Sequence, residues 1–227
     1  MVIESGAEVP AYEEWMANRG LQVGARVAYS TGFGGVYEGL AMNDASRGAL
    51  PLIVDAGLRV IPELYIGAYG QFASVLVAEN SQSCPTGFDC SAQDWRLGLQ
   101  VDYHFMPRTR LDPYIGLGGG YDILQASWRG SSRVQTAAGG ITGSVATNST
   151  NRGWEFAALT LGFDYRLKDF LGVGPFLTGT VGKYNVRSGD KAITFAGKQI
   201  SDAPLPEVGH ATHATFFAGV RGTFNPF

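Results

Sequence analysis

The chain contains little charge. Asp, Glu, Lys and Arg together make up 16% of its 227 residues, whereas ordinary soluble domains contain about 25%. Only four residues are lysine, the side chain that most often solvates an exposed face. A soluble enzyme is therefore disfavoured. The near balance of 17 basic against 20 acidic residues also argues against nucleic acid as a partner, because binding it requires a basic patch.

Long apolar runs are missing as well. No stretch of about 18 consecutive apolar residues occurs, which excludes a membrane-spanning helix. The composition is nevertheless 45% apolar, with 32 glycines and 12% aromatic residues. The remaining way across a bilayer is a closed β-barrel, whose backbone groups pair between strands. No secretory signal is recognisable in the first residues, so we expect this to be the mature form of an exported protein.

Alternation of apolar and polar residues supports the barrel. In the clearest segment, Trp95, Leu97 and Leu99 alternate with Arg96, Gly98 and Gln100. One parity is apolar and free of charge, as a lipid-facing surface requires, and the other suits a polar lumen. The same pattern recurs in eight segments, namely residues 21–30, 52–60, 64–72, 94–105, 114–123, 157–166, 173–182 and 214–224.

These segments predict an all-β fold, an eight-stranded antiparallel up-and-down transmembrane β-barrel over residues 21–227. Residues 1–20 are predicted to be a periplasmic leader with a short helix from Pro10 to Gly20, because proline suits a first helical turn and glycine a helix end. The alternative all-β fold is a soluble lipocalin-like barrel with the apolar parity inside. Its exterior would then be rich in glycine and poor in lysine, which makes a poor solvent face.

The predicted connections alternate in length. We expect short turns on the periplasmic side and long loops outside, which leaves both termini periplasmic. The third long loop is rich in Ser, Thr, Gly and Ala, and we expect it to be mobile. The short turns are 61–63, 106–111 and 168–172, and the long loops are 31–48, 77–92, 128–152 and 187–212.

Aromatic side chains on the lipid-facing parity mark the two membrane interfaces, where such rings are enriched. Tyr29 and Trp95 are predicted near the outer rim. The inner rim is predicted to carry Tyr103, Phe105, Tyr165 and Phe224.

Charged residues of the opposite parity are predicted to lie together in the lumen. Eight strands leave an interior that side chains just fill, and charges there must be paired. We therefore expect an ion-pair network that plugs the lumen; the alternative is a selectivity ring in a narrow pore. Asp102 and His104 could also be taken as an acid and a base, but no nucleophile can be placed beside them, so no enzyme is expected. The predicted network consists of Arg59, Asp102, His104, Asp164, Arg166 and Arg221.

Two further pairs of residues are considered, one for a disulfide bond and one for a metal site. Cys84 and Cys90 lie in the second outer loop, where a disulfide is favoured because the chain matures outside the cytosol. His210 and His213, with Glu207 nearby, form a weak candidate metal site, since helical spacing means little in a loop that enters a strand. We expect neither a metal ion nor a cofactor.

With these strands and loops, the segment from Asp112 to Tyr121, together with the final Phe227, resembles the small outer-membrane β-barrel superfamily of Gram-negative bacteria, which includes the OmpA transmembrane domain and the OmpW barrel. The resemblance implies a location in the outer-membrane lipid. It also implies insertion by the barrel-assembly machinery, which reads a C-terminal strand with an aromatic end. Phe224 continues the lipid-facing parity and Phe227 ends the chain, so both are candidates for the assembly signal.

The resemblance is more informative about the architecture of the protein than about its activity. We expect a structural or partner-binding protein of the cell envelope, with a largely closed lumen. Another envelope protein could bind through the outer loops or the N-terminal helix. The resemblance to OmpW suggests the alternative of a narrow pore or transporter for small, apolar molecules. A third and less favoured class is a lipid-modifying membrane enzyme, for which no catalytic constellation emerges.

Overall fold

The computed structural model describes residues 20–79, 83–136, 139–168, 170–195, 198–205 and 210–226. The predicted N-terminal helix and Phe227 therefore lie outside the described residues, apart from Gly20, which begins the first strand. The described chain forms one four-residue helix and ten strands, namely β1 (Gly20–Tyr37), β2 (Leu40–Ala41), α1 (Met42–Ala45), β3 (Ser46–Ile61), β4 (Leu64–Val77), β5 (Phe88–His104), β6 (Leu111–Thr136), β7 (Gly139–Lys168), β8 (Leu171–Phe195), β9 (Lys198–Pro204) and β10 (Ala211–Phe224).

The strands form one antiparallel sheet that closes on itself. β1 pairs with β3, and consecutive strands pair from β3 to β8. β10 pairs with both β8 and β1 and so completes a ring of eight strands. The short β2 and β9 attach to β1 and β8. The predicted all-β antiparallel fold is confirmed. The described chain has ten strands, and eight of them form the ring. Closure leaves no free edge within the ring, so every ring strand has a partner on both sides.

Side chains alternate across the wall as the sequence predicts. The outward parity is apolar: Leu97 and Leu99 are 68% and 70% exposed. The inward parity is polar, and Arg221 and Asp122 are both 0% exposed. This is the reverse of a soluble protein, and it contradicts the lipocalin-like alternative, which needs the apolar parity inside. Within the described residues, no helix is long and apolar enough to cross a membrane.

The connections differ between the two ends of the ring. One end has the short turns that the sequence predicts, from Ile61 to Leu64, from His104 to Leu111 and from Lys168 to Leu171. Gly20 and Phe224 lie at this same end, which we call the turn end; the opposite end is the loop end.

Two of the predicted long loops are wrong. Residues 128–136 and 139–152 are paired strands that extend β6 and β7 into a hairpin, with Thr136 opposite Gly139. Residues 187–195 likewise extend β8, which pairs with β9. Backbone pairing continues along these hairpins, and their Thr, Val and Ile residues favour extended conformations.

The first loop-end connection folds inward. Val36 and Leu40 pack against Leu124 and Tyr184, which belong to β6 and β8. The ladder between β1 and β3 ends at Ser30, and α1 lies beyond that point.

Gly32 allows α1 to lie close to β1. A Cβ atom at Gly32 would lie 3.0 Å from the sulfur of Met42, so a side chain there requires the Met42 side chain to shift by a few tenths of an ångström. We call this place, between β1 and β3 under α1, the seam.

Candidate functional site

Buried charge near the turn end forms one connected group, the turn-side layer. Arg221 lies 3.4 Å from a carboxylate oxygen of Asp102 and 3.8 Å from one of Asp55. Arg26 reaches the same Asp55 at 2.8 Å and also donates to Gln100 Oε1 at 2.6 Å. These side chains come from four different strands, so the network links opposite sides of the lumen.

Three further side chains, Arg59, Asp112 and His104, extend the turn-side layer. Arg59 donates to Gln22 Oε1 at 2.6 Å and lies 3.8 Å from Asp112. His104 Nδ1 lies 2.9 Å from the same Asp112 carboxylate. His104 therefore interacts with Asp112, and Asp102 interacts with Arg221.

The structure distributes the six residues predicted for the lumen network unevenly. Arg59, Asp102, His104 and Arg221 lie in the turn-side layer. Asp164 is buried opposite Asp112 in the sheet, but neither of its carboxylate oxygens has a hydrogen-bond partner. Arg166 lies elsewhere: it is half-buried and donates to the carbonyl of Pro107 in a turn.

Three members of the turn-side layer were missed by sequence reasoning. Arg26 and Asp55 already stood on the inward parity of their strands, which was the signal available. Asp112 lies between the predicted turn 106–111 and the predicted strand 114–123, so no parity was assigned to it.

A second polar group, the loop-side layer, lies nearer the loop end. Arg96 contacts three carboxylates, at 2.5 Å to Glu155, 3.0 Å to Asp122 and 3.6 Å to Asp94. Each carboxylate also accepts a hydrogen bond from a neutral donor: from Tyr69 to Glu155, from Tyr184 to Asp122 and from Gln71 to Asp94. One guanidinium thus stands against three acidic groups in a buried site.

His213 belongs to this loop-side layer. It is buried, its ring stacks on Tyr184 with centroids 4.2 Å apart, and its Nε2 lies 3.5 Å from Asp122. His210 is exposed instead, and Glu207 lies outside the described residues. In the described ranges no group of three His, Cys, Asp or Glu side chains is arranged to hold a metal ion.

Little space remains between the two layers. The cavity there has a volume of about 30 Å³, which is roughly the share of one water molecule in the liquid. Phe176 and Phe217 pack against Ile53 in this region. A Cβ atom at Gly116 would lie 2.4 Å from the Asp102 carboxylate, so the room left by that glycine is already filled.

A much larger cavity lies at the loop end, outside the loop-side layer. This outer cavity has a volume of about 490 Å³, within the range of roughly 300–1,000 Å³ typical of small-molecule sites. Its walls are mostly apolar, and its lining includes Val36, Leu40, Leu124, Trp128, Tyr184 and Phe217.

The predicted disulfide is confirmed and lies beside the outer cavity. Cys84 and Cys90 are bonded, with their Cα atoms 5.9 Å apart. Next to the bridge, Ser83 Oγ donates to the carbonyl of Asp44 in α1 at 2.8 Å. Pro85 and Phe88 line the cavity. The bridged loop therefore holds α1 from outside.

The aromatic residues predicted for the interfaces all point outward and are exposed. At the loop end, Trp95 contacts Phe72, with ring centroids 4.7 Å apart. At the turn end, Tyr103 contacts Phe105 at 5.2 Å. The remaining three are Tyr29, Tyr165 and Phe224.

Both rims of the apolar surface therefore carry rings. Phe224 is opposite Val23 in the sheet and keeps the outward parity. The other candidate for an assembly signal, Phe227, lies outside the described residues.

No known family model and no curated protein matches this sequence. In structure, the chain is similar to small outer-membrane β-barrel proteins. One is a major outer membrane protein from Thermus thermophilus, with 14% identity, a TM-score of 0.49, and 89% of this chain and 99% of that chain covered.

Two more solved structures belong to the same group. The outer membrane protein AlkL, solved in lipid bilayers, has 14% identity and a TM-score of 0.47 over 99% of this chain and 96% of that chain. OprG from Pseudomonas aeruginosa has 12% identity and a TM-score of 0.43 over 93% and 99%. At these identities the likeness concerns architecture and does not extend to ligands.

Proposed function

We propose that the protein is an integral outer-membrane β-barrel without enzymatic activity, and that its lumen is closed. The observation that carries this proposal is the inverted wall, with exposed leucine and valine outside and charges that are almost fully buried inside. Such a surface is stable against lipid and unstable against water. We place the turn end and both termini in the periplasm, and the hairpins and the disulfide loop outside.

Closure of the lumen is inferred from its two polar layers. Ions would have to pass the Arg221 group, a space for about one water molecule, and then the Arg96 group. We expect the protein to give no steady open-channel current in planar bilayers. As a positive control, Arg96→Ala combined with Glu155→Ala removes an ion pair and should introduce a leak. Steady current from the unmodified protein would contradict the closed lumen.

A closed barrel suits a structural or partner-binding role at the envelope. The long hairpin of β6 and β7 and the sheet formed by β8 and β9 extend beyond the ring at the loop end. We place the contacts with another envelope protein on these outer elements or on residues 1–20. Insertion by the barrel-assembly machinery, through Phe224 or Phe227, belongs to the same proposal.

A second candidate function is the transfer of small apolar molecules from outside into the membrane. Two observations favour it: the apolar outer cavity, and the seam, where the backbone ladder between β1 and β3 stops at Ser30. Two barriers lie at the described part of this wall: α1, with Met42 against Gly32, and the hydrogen bond that Tyr29 donates to the carbonyl of Arg47. A molecule in the cavity would leave sideways when α1 moves, without crossing the two polar layers.

Locking α1 tests this second candidate. A Cβ atom at Gly32 would lie 3.3 Å from the Met42 Cβ, near the separation of about 3.5–4.5 Å that a disulfide needs. The double variant Gly32→Cys and Met42→Cys should lower uptake of an apolar probe by vesicles about tenfold when oxidised, since a tenfold change needs only ~1.4 kcal/mol.

The two single variants serve as matched controls and should keep their uptake. Because reduction also opens the native bridge, the oxidised double variant is compared with the oxidised single variants. Unchanged uptake in the locked protein, with the new bridge verified by mass, would contradict lateral transfer.

A further inference from the structure

Besides Arg96 of the loop-side layer, two cations line the wall of the outer cavity. Arg187 and Lys191 both belong to the inward parity of β8 near the loop end, four residues apart on one strand face. Among the described lining residues the one acidic side chain is Asp94 in the loop-side layer, which accepts from Gln71 at 3.0 Å and lies 3.6 Å from Arg96. The wall above that layer therefore carries positive charge without a counter-charge.

Arg187 is held in place but its charge is not neutralised. Its guanidinium lies over the Tyr37 ring, 4.0 Å from the centroid. Its Nε is shielded from solvent and has no hydrogen-bond partner. Across the described ranges, no carboxylate oxygen lies within 4.0 Å of it. Stacking orients the planar fork of an arginine, and such a fork matches the paired oxygens of a carboxylate or sulfate.

We propose that the outer cavity binds a single-chain amphiphile with an anionic head. The head forms hydrogen bonds with Arg187, and the apolar chain lies along the walls that include Leu124 and Trp128. Lys191, nearer the mouth, attracts the anion electrostatically. This site deepens the second candidate function and rests on it only for the cavity, not for the sideways exit.

Binding can be measured with the full chain in nanodiscs of neutral phosphatidylcholine, so that the bilayer supplies no net anionic lipid. The probes are decanoate and decanol, each brominated at the end of its chain. Bromine quenches tryptophan, and Trp128 becomes the sole reporter once Trp15, Trp95 and Trp154 are changed to phenylalanine. Empty nanodiscs correct for probe that enters the lipid.

We expect decanoate to bind about tenfold more tightly than decanol. A tenfold change requires ~1.4 kcal/mol, which is the size of contribution that a charge-assisted hydrogen bond makes. Arg187→Gln should abolish that preference and leave decanol binding unchanged. Arg187→Lys should retain part of it. Lys198→Gln, which removes an exposed charge from β9 outside the cavity, is the matched control. Heat-modifiable gel migration verifies that each variant is folded.

Each result has a distinct meaning. Equal affinity for both probes, or a preference that survives Arg187→Gln, overturns the head-group site while leaving the apolar cavity in place. Failure of both probes to quench Trp128 overturns the site and also removes the cavity as support for the second candidate function.

Discussion

Replacing Arg96 with methionine is expected to destabilise the protein by about 3–5 kcal/mol, the usual effect of removing one partner from a buried ion pair. Among the described residues, Arg96 is the one arginine or lysine within 4.0 Å of Glu155, Asp122 and Asp94. Methionine has similar length but no charge, so three carboxylates would remain together in the lumen. The free energy of unfolding in urea, measured on protein inserted in lipid vesicles, checks this.

The controls separate charge from packing. Arg166→Met removes a half-buried arginine that donates to a turn carbonyl, and it should cost about 1 kcal/mol, the usual net contribution of one hydrogen bond. Adding Asp122→Asn to Arg96→Met should recover part of the loss, because it removes one uncompensated charge. A loss for Arg96→Met no larger than that of Arg166→Met would show that the loop-side layer is not a dry ion-pair network.

Placing a charge on the outer wall is the second prediction with a large effect. Leu99 is 70% exposed, near the middle of β5 on the outward parity. Leu99→Arg should destabilise the barrel by about 2–4 kcal/mol, the cost of arginine on the lipid face at the bilayer midplane. Unfolding in urea from lipid vesicles again provides the measurement.

The same strand offers a matched control. Gln93 is also exposed and outward, but it lies six residues nearer the loop end. Gln93→Arg should cost only about 0–1 kcal/mol, because the cost falls towards the interface. Equal costs at the two positions would mean that the apolar belt does not lie in a bilayer with the depth proposed here.

These substitutions probe opposite faces of one wall. Arg96 and Leu99 are three residues apart on β5, yet one side chain is buried among carboxylates and the other faces outward. A soluble protein would tolerate arginine at the exposed position far better than at the buried one. Here both the loss of arginine inside and its gain outside are expected to be costly.

The sequence alone determined the faces of the wall. Period two is a local property of an extended chain, so the inward position of Asp102 or the outward position of Trp95 could be read without knowing which strands pair. The bridge between Cys84 and Cys90 was predictable for a similar reason, since the two residues are close in the chain. The prediction of a membrane β-barrel followed from the absence of charged residues on one parity of each strand.

The tertiary structure decided which inward groups meet. Arg96 pairs with Glu155, and Arg221 pairs with Asp102, because closure of the ring sets how the strands are staggered around the lumen. The inward parity by itself is compatible with many other pairings. The inward fold of the first connection likewise depends on Leu124 and Tyr184 from other strands. The outer cavity exists only where these distant elements leave a gap, and for that reason local patterns in the sequence carry no sign of it.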